Sequence, residues 1–195
     1  MARALKHVLA IGCSAGGTEA LRHLFMRRIV PENVAVIVVL HVGTVSPDIL
    51  LDFLRVITNC PVNEAESQEP ILGGRIYFAP PGYHLLVSPE GNFELNVDDP
   101  VNYSRPSIDV LFESAAEAFK EKVVAVVLTG ANHDGAAGAA RIMALGGQVL
   151  IQSPNEAEHP QMPLAAMEAT RVKKSYFLNE MAAALEQKGL IEKKH

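Results

Sequence analysis

A doubly wound α/β domain, with a mostly parallel sheet between two helical layers in the Rossmann-like three-layer manner, is the fold this sequence predicts. Three observations predict it. First, "HVLAIG" (7–12), "VAVIVVLHV" (34–42) and "VVAVVLTG" (123–130) are nearly continuous β-branched apolar runs, and "GGQVLIQ" (146–152) is a shorter fourth. Continuous apolarity means burial on both faces, as in a parallel sheet covered by helices. Second, segments with helical signals lie between these runs, as parallel crossovers require. Third, the middle of the chain changes character and carries turn residues between extended pieces, which predicts an antiparallel excursion.

In chain order, the first strand, 7–12, leads into "GCSAGG" (12–17) and then a helix over 18–28 with Ala20, Leu21, Leu24 and Phe25 on one face. The second strand, 34–42, is followed by a helix over 46–57, opened by a Ser N-cap at Ser46 and by Pro47 in its first position. Over 73–97, "GGRIYFAPPGYHLLVSPEGNFELNV" holds three short extended runs broken by Pro-Pro-Gly and Pro-Glu-Gly, read as antiparallel hairpin strands. Helices over 106–121 and 134–145 flank the strand at 123–130, and the second is rich enough in Ala and Gly to approach the sheet closely. After 146–152 come two more helical segments, "PQMPLAAMEA" and "NEMAAALEQKG", with "SYFL" as a short strand between them and a frayed "EKKH" tail.

The 195 residues suit one domain spanning 1–195, 49% apolar and 20% charged, with a net charge of −5. No basic stripe marks a nucleic-acid surface. Cys13 and Cys60 are too few for a disulfide framework or a zinc site, and Cys13 reads as a small packing residue. The apolar part of "MARALKHVLAIG" is too short for a signal peptide, and no run is long enough to enter a membrane as a spanning helix. The expected location is the cytoplasm.

In a doubly wound sheet, ligands bind beyond the carboxyl ends of the strands. Ser14 follows the first strand, His41 ends the second, and "TGANHDG" places Asp134 after the strand at 123–130. A serine hydroxyl needs a base to take its proton, histidine titrates in the right range, and a carboxylate fixes the ring tautomer. "GCSAG" also fits the G-x-S-x-G turn that exposes a serine between strand and helix, with the helix dipole aimed at a developing oxyanion. Phosphate readings fit less well. Gly16-Gly17 is followed by Thr18-Glu19 without the Walker A lysine, position 14 is not the second glycine of G-x-G-x-x-G, and the second strand ends in His41 where a ribose-binding acid would stand. Singly, each residue has a plainer reading: Ser14 as a turn residue, His41 as a structural histidine, Asp134 as the N-cap of the helix after it. Arg105 is placed to pair with Asp109, His84 reads as a hairpin residue, and His133 reads as a rim residue ahead of a competing acid–base group.

Taken in order, "IGCSAGGTEAL", "VVLHV", "GGRIYFAPPGYHLLV", "SRPSIDVLFESAA", "VVLTGANHDGAAGAARI" and "GGQVLIQ" with Met162-Pro163 beyond it resemble the catalytic domain of bacterial chemotaxis protein-glutamate methylesterases across nearly the whole chain. That family hydrolyses γ-methyl esters of glutamates on chemoreceptor signalling helices, and many members deamidate glutamines there. The resemblance implies Ser14 as nucleophile, His41 as general base and then acid, and Asp134 as the orienting carboxylate. It implies an oxyanion hole of backbone N–H groups near His41 and Ala131, a chemoreceptor as macromolecular substrate, and no metal or organic cofactor.

The sequence departs from the family pattern around this rim. Ala15 stands where a threonine is usual, Ala131-Asn132 replaces Met-Gly, His133 precedes the aspartate, and Val42-Gly43 replaces Met-Pro. The chain begins almost at its first catalytic strand, so the resemblance implies no receiver domain and no phosphorylation control here; a response regulator in a separate chain could supply it. The competing reading is a receptor-docking module of the same fold without turnover.

Overall fold

The computed structural model describes residues 5–41, 51–52, 55–58 and 60–194. Six strands form the central sheet: β1 (His7–Cys13), β3 (Val34–Leu40), β4 (Val62–Glu64), β5 (Arg75–Phe78), β8 (Val123–Val127) and β9 (Gln148–Ile151). Their order is β4-β5-β3-β1-β8-β9, and every neighbouring pair is parallel. β1 is central because it pairs with β3 on one side and β8 on the other.

Alternate residues of every strand but the edge strand β4 feed two separate cores. Leu9, Ile11 and Cys13 point to the face covered by α1 (Gly17–Phe25) and α5 (Leu178–Gln187), with Leu21, Leu24, Met181 and Leu185 against them. Val8 and Ala10 point to the other face, where α2 (Ile108–Phe119), α3 (Ala136–Ala144) and α4 (Gln161–Thr170) supply Leu111, Phe112, Ile142 and Met162. Burial on both faces is why these strands read as unbroken apolar runs, and the expected three-layer α/β architecture is present.

β6 (His84–Val87) and β7 (Phe93–Asn96) form the expected antiparallel hairpin. The first of the three middle runs departs from expectation: β5 does not join the hairpin but pairs in parallel with β3, from Ala35 with Arg75 to Val38 with Phe78. Its Ile76 and Phe78 face one core and Tyr77 the other, and it has a strand on each side, as an interior strand of the sheet does. The short edge strand β4 was not legible, because Val62 is its only buried residue. "SYFL" supplies one parallel bridge, from Tyr176 to Gln152, before α5 begins. The tail is not frayed through residue 194. β10 (Glu192–Lys193) pairs antiparallel with β2 (Arg28–Ile29), and the Lys194 N–H bonds the Arg27 carbonyl at 3.1 Å. The helix expected over 46–57 falls largely outside the described residues.

One close approach fixes the carboxyl edge of the sheet at β1. A Cβ placed on Gly12 would lie 2.3 Å from Ile108 Cγ2, so only glycine lets the end of β1 press against the first residue of α2. The same methyl group lies 2.5 Å from where a Cβ of Gly135 would be. Ile108 therefore fills the gap between the strand that carries Ser14 and the turn that carries Asp134.

Candidate active site

The turn after β1 is held by β8. The Ser14 N–H donates to the Thr129 carbonyl at 3.0 Å, and Thr129 Oγ1 donates to the Ala15 carbonyl at 3.0 Å. The His159 N–H in turn donates to Thr129 Oγ1 at 2.9 Å, which fixes the hydroxyl. Gly16 closes the turn at φ 78, and a Cβ there would stand 2.9 Å from Glu158 Cβ. Gly16→Ala is therefore expected to cost about 1–2 kcal/mol, the left-handed penalty of a side chain, read as a lowered midpoint in urea unfolding. The Cys13 thiol is fully buried, burial pushes its pKa far up, and its Sγ lies 3.9 Å from the Val39 carbonyl. It packs and is chemically inert.

Ser14 and His41 leave adjacent strands at the same level. Cys13 pairs with Leu40 in the last rung of β1 and β3, and the His41 N–H donates to the Cys13 carbonyl at 3.0 Å. Among the described residues, Ser14 Oγ has no hydrogen-bond partner. The His41 ring faces away along the edge: Nε2 lies 3.0 Å from Asp134 Oδ2. The ring N–H points off the line to that oxygen, so the pair is close without a well-aligned hydrogen bond. Looseness of this kind is common before substrate binds.

Asp134 is fully buried and held from one side by the start of α2. Its Oδ2 accepts from the Ile108 N–H at 2.7 Å, and its Oδ1 accepts from Ser107 Oγ at 2.8 Å and the Asp109 N–H at 3.1 Å. Asn102 Nδ2 (3.2 Å) and the Gly135 N–H (3.1 Å) also reach Oδ1. So Asp134 does not cap the helix that follows it; that helix has Gly135 as its N-cap, with no side-chain cap. Ser107 is the N-cap of α2, and Asp134 adds to it by accepting from the first N–H groups of that helix, where unsatisfied donors and the positive dipole end favour an anion. Burial works to raise its carboxyl. His41, the Ile108 and Asp109 N–H groups and the Ser107 hydroxyl outweigh that and hold it below the ordinary carboxylate range.

The sign of the resulting pH dependence follows. A carboxyl lowered in the fold adds stability that is complete above its unfolded value and lost as pH falls through the folded value. The stability difference between wild type and Asp134→Asn is expected to be largest near neutrality and to shrink below about pH 4. Urea unfolding across pH 3–7 checks this.

A second buried carboxylate stands beside the first. Asp109 Oδ1 accepts from the Gly138 N–H at 2.7 Å, and its Oδ2 accepts from Asn102 Nδ2 at 2.8 Å. Burial pushes its carboxyl up, the Gly138 N–H pulls it back, and the Asp134 charge adds to the rise. One Asn102 amide thus separates two carboxylates, while its Oδ1 faces His133 Nε2 at 3.2 Å. Arg105 does not pair with Asp109 as expected; its Nη1 donates to the Val97 and Asp98 carbonyls at 2.9 and 3.0 Å. His84 is more than a hairpin residue. It is buried, its Nδ1 accepts from the Ser107 N–H at 3.2 Å, and its Nε2 faces the Asp99 carbonyl at 3.1 Å.

The predicted rim residues divide. Asn132 Nδ2 lies 3.4 Å from His41 Nδ1, His133 joins Asn102, and Ala15 contributes only its carbonyl to Thr129. Ala131 is exposed, and its N–H has no acceptor among the described residues. The His41 N–H, by contrast, is taken by Cys13, so it is not free for an oxyanion. Sequence reasoning missed Asn102, Thr129 and the role of Ser107. Only Ser107 carried a signal, as a serine just ahead of a helix that starts at Ile108. Beside His41, a cleft of about 240 Å³ is lined by Leu40, Pro81, Tyr103, Arg105 and Pro106. Among the described residues, no three His, Cys, Asp or Glu side chains gather as a metal site.

Fold and site together define a three-layer α/β protein with serine, histidine and a buried, ionised carboxylate at the carboxyl edge of its sheet. Comparison with known proteins narrows this class: the family model described as CheB methylesterase matches residues 9–185, and the chain belongs to that family. A Leptospira interrogans protein named "Putative protein-glutamate methylesterase/protein-glutamine glutaminase" is 41% identical over 164 residues, 84% of this chain and 85% of its own. The protein-glutamate methylesterase/protein-glutamine glutaminase of Symbiobacterium thermophilum is 32% identical over 92% of this chain but 50% of its own length. The crystal structure of the Thermotoga maritima CheB methylesterase catalytic domain superposes with a TM-score of 0.85 at 28% identity, covering 93% of this chain and 97% of that one. No helix among the described residues is long and apolar enough to cross a membrane.

Proposed function

We propose that this protein is a serine hydrolase that removes methyl groups from γ-glutamyl methyl esters on chemoreceptor signalling helices, and deamidates glutamines there, using Ser14, His41 and Asp134. One observation carries the reading: the His41 ring, one strand over from Ser14, lies 3.0 Å from a buried carboxylate kept ionised by His41 itself and by the donors at a helix N-terminus. An ionised, immobile carboxylate is what a histidine needs in order to accept a proton from serine and hold it.

In this scheme Ser14 Oγ attacks the ester carbonyl carbon while His41 takes its proton. The tetrahedral intermediate collapses, His41 returns the proton to the methoxy oxygen, and methanol leaves a glutamyl-serine ester. Water, deprotonated by His41, then releases free glutamate and Ser14. With a glutamine substrate the leaving group is ammonia. The unbonded Ala131 N–H is the described candidate for an oxyanion donor. Chemoreceptor signalling helices lie in the cytoplasm, where this enzyme would act.

Methylated chemoreceptor membranes provide the test. The full chain is expected to release methanol from them at a rate proportional to enzyme. Stable binding to those membranes with no methanol or ammonia released would overturn the proposal and favour a docking module.

A further inference from the structure

We infer that Asn132 is a positioning residue that selects the tautomer of His41 and caps its free nitrogen until substrate arrives; this rests on reading His41 as the base for Ser14. The orientation of the Asn132 amide is set by its neighbour. Its Oδ1 accepts the Asp134 N–H at 3.2 Å, which turns Nδ2 toward His41 Nδ1 at 3.4 Å. Nδ2 carries only hydrogens, so the ring nitrogen it faces must offer a lone pair. The ring proton then sits on Nε2, on the side of Asp134 Oδ2 at 3.0 Å. The carboxylate and the amide select the same tautomer from opposite ends of the ring.

This arrangement has a cost for catalysis. Nδ1 is the nitrogen left to receive the serine proton, and in the resting state an amide N–H occupies its lone pair. Once Nδ1 is protonated, two donors face each other, so Asn132 must swing aside as the imidazolium forms. It is half-buried, with exposed Ala131 and His133 on either side, so it has room to move. Asn132 therefore acts as a brake on the first proton transfer as well as a guide for the ring.

Nitrogen NMR of the His41 imidazole in the full chain tests the first half without any variant. At a pH where the ring is neutral, the proton is expected on Nε2; a proton on Nδ1 would overturn the inference. Asn132→Asp offers an acceptor to Nδ1 while Asp134 keeps its hold on Nε2, so at the same pH the ring is expected to carry a proton on both nitrogens; a bare Nδ1 in that variant counts against the inference. For the second half, a serine-reactive fluorophosphonate measures Ser14 reactivity. Asn132→Ala is expected to label about fivefold faster, the equivalent of one ordinary hydrogen bond, with kcat for ester hydrolysis rising and KM unchanged. An unchanged or slower rate sinks the brake. Ser14→Ala separates the two levels: if that protein is still labelled, the reading of the active site fails, whereas loss of labelling with an unresponsive Asn132→Ala rejects only the role of Asn132.

Discussion

Replacing Ser14 by alanine is expected to abolish methanol release while leaving the fold intact. The loss should be on the order of 10⁴- to 10⁶-fold, the range seen when a nucleophile acting as a unit with its base is removed. The expectation that folding survives is physical. Ser14 is tied down through its backbone, by the N–H bond to Thr129 at 3.0 Å and by the Gly17 N–H on its carbonyl at 2.8 Å, and alanine keeps both. Circular dichroism and urea unfolding should overlay on the wild type. Retained turnover would remove Ser14 from the chemistry; lost turnover with lost folding would show that the hydroxyl is structural after all.

Asp134→Asn is expected to damage both activity and stability, which distinguishes it from the serine variant. Turnover should fall by about 10⁴-fold, because an amide can no longer hold His41 in one tautomer or stabilise its charge. Stability should fall by about 3 kcal/mol, because the new Nδ2 must face groups that themselves donate. Ser107, Ile108, Asp109, Asn102 and Gly135 all donate to this carboxylate, so no rotamer of an amide can satisfy them. A variant with wild-type urea midpoint and lost activity would show that the carboxylate is held more loosely than these distances imply.

The contrast also shows what the sequence could and could not reveal. Strands buried on both faces announce themselves through composition, so β1, β3 and β8 are legible, and with them the edge where Ser14 and His41 emerge; β9, at the sheet's edge, is legible from the shorter apolar run that ends in buried Leu150 and Ile151. Asp134 is legible beside His41 by its place after β8, but its anchoring is not: a carboxylate before a glycine-rich helix looks like that helix's cap, and here it accepts from the start of another helix remote in sequence. Asn102 gave no signal because a loop asparagine bridging two acids looks like any other loop asparagine. The run at β5 reads as a hairpin strand because so short an apolar run fits either sheet, and only tertiary pairing with β3 decides between them.

The contact of Ile108 with Gly12 and Gly135 has a consequence for how this active site could drift over time. One aliphatic side chain, which carries no reacting group, fills the space between the end of β1 ahead of Ser14 and the turn that carries Asp134. Trimming or branching that side chain differently would retune the alignment of the whole site by fractions of an ångström without altering a single reacting atom. Ile108 is thus a calibration screw, reachable by one substitution, through which rate could change while mechanism stays the same.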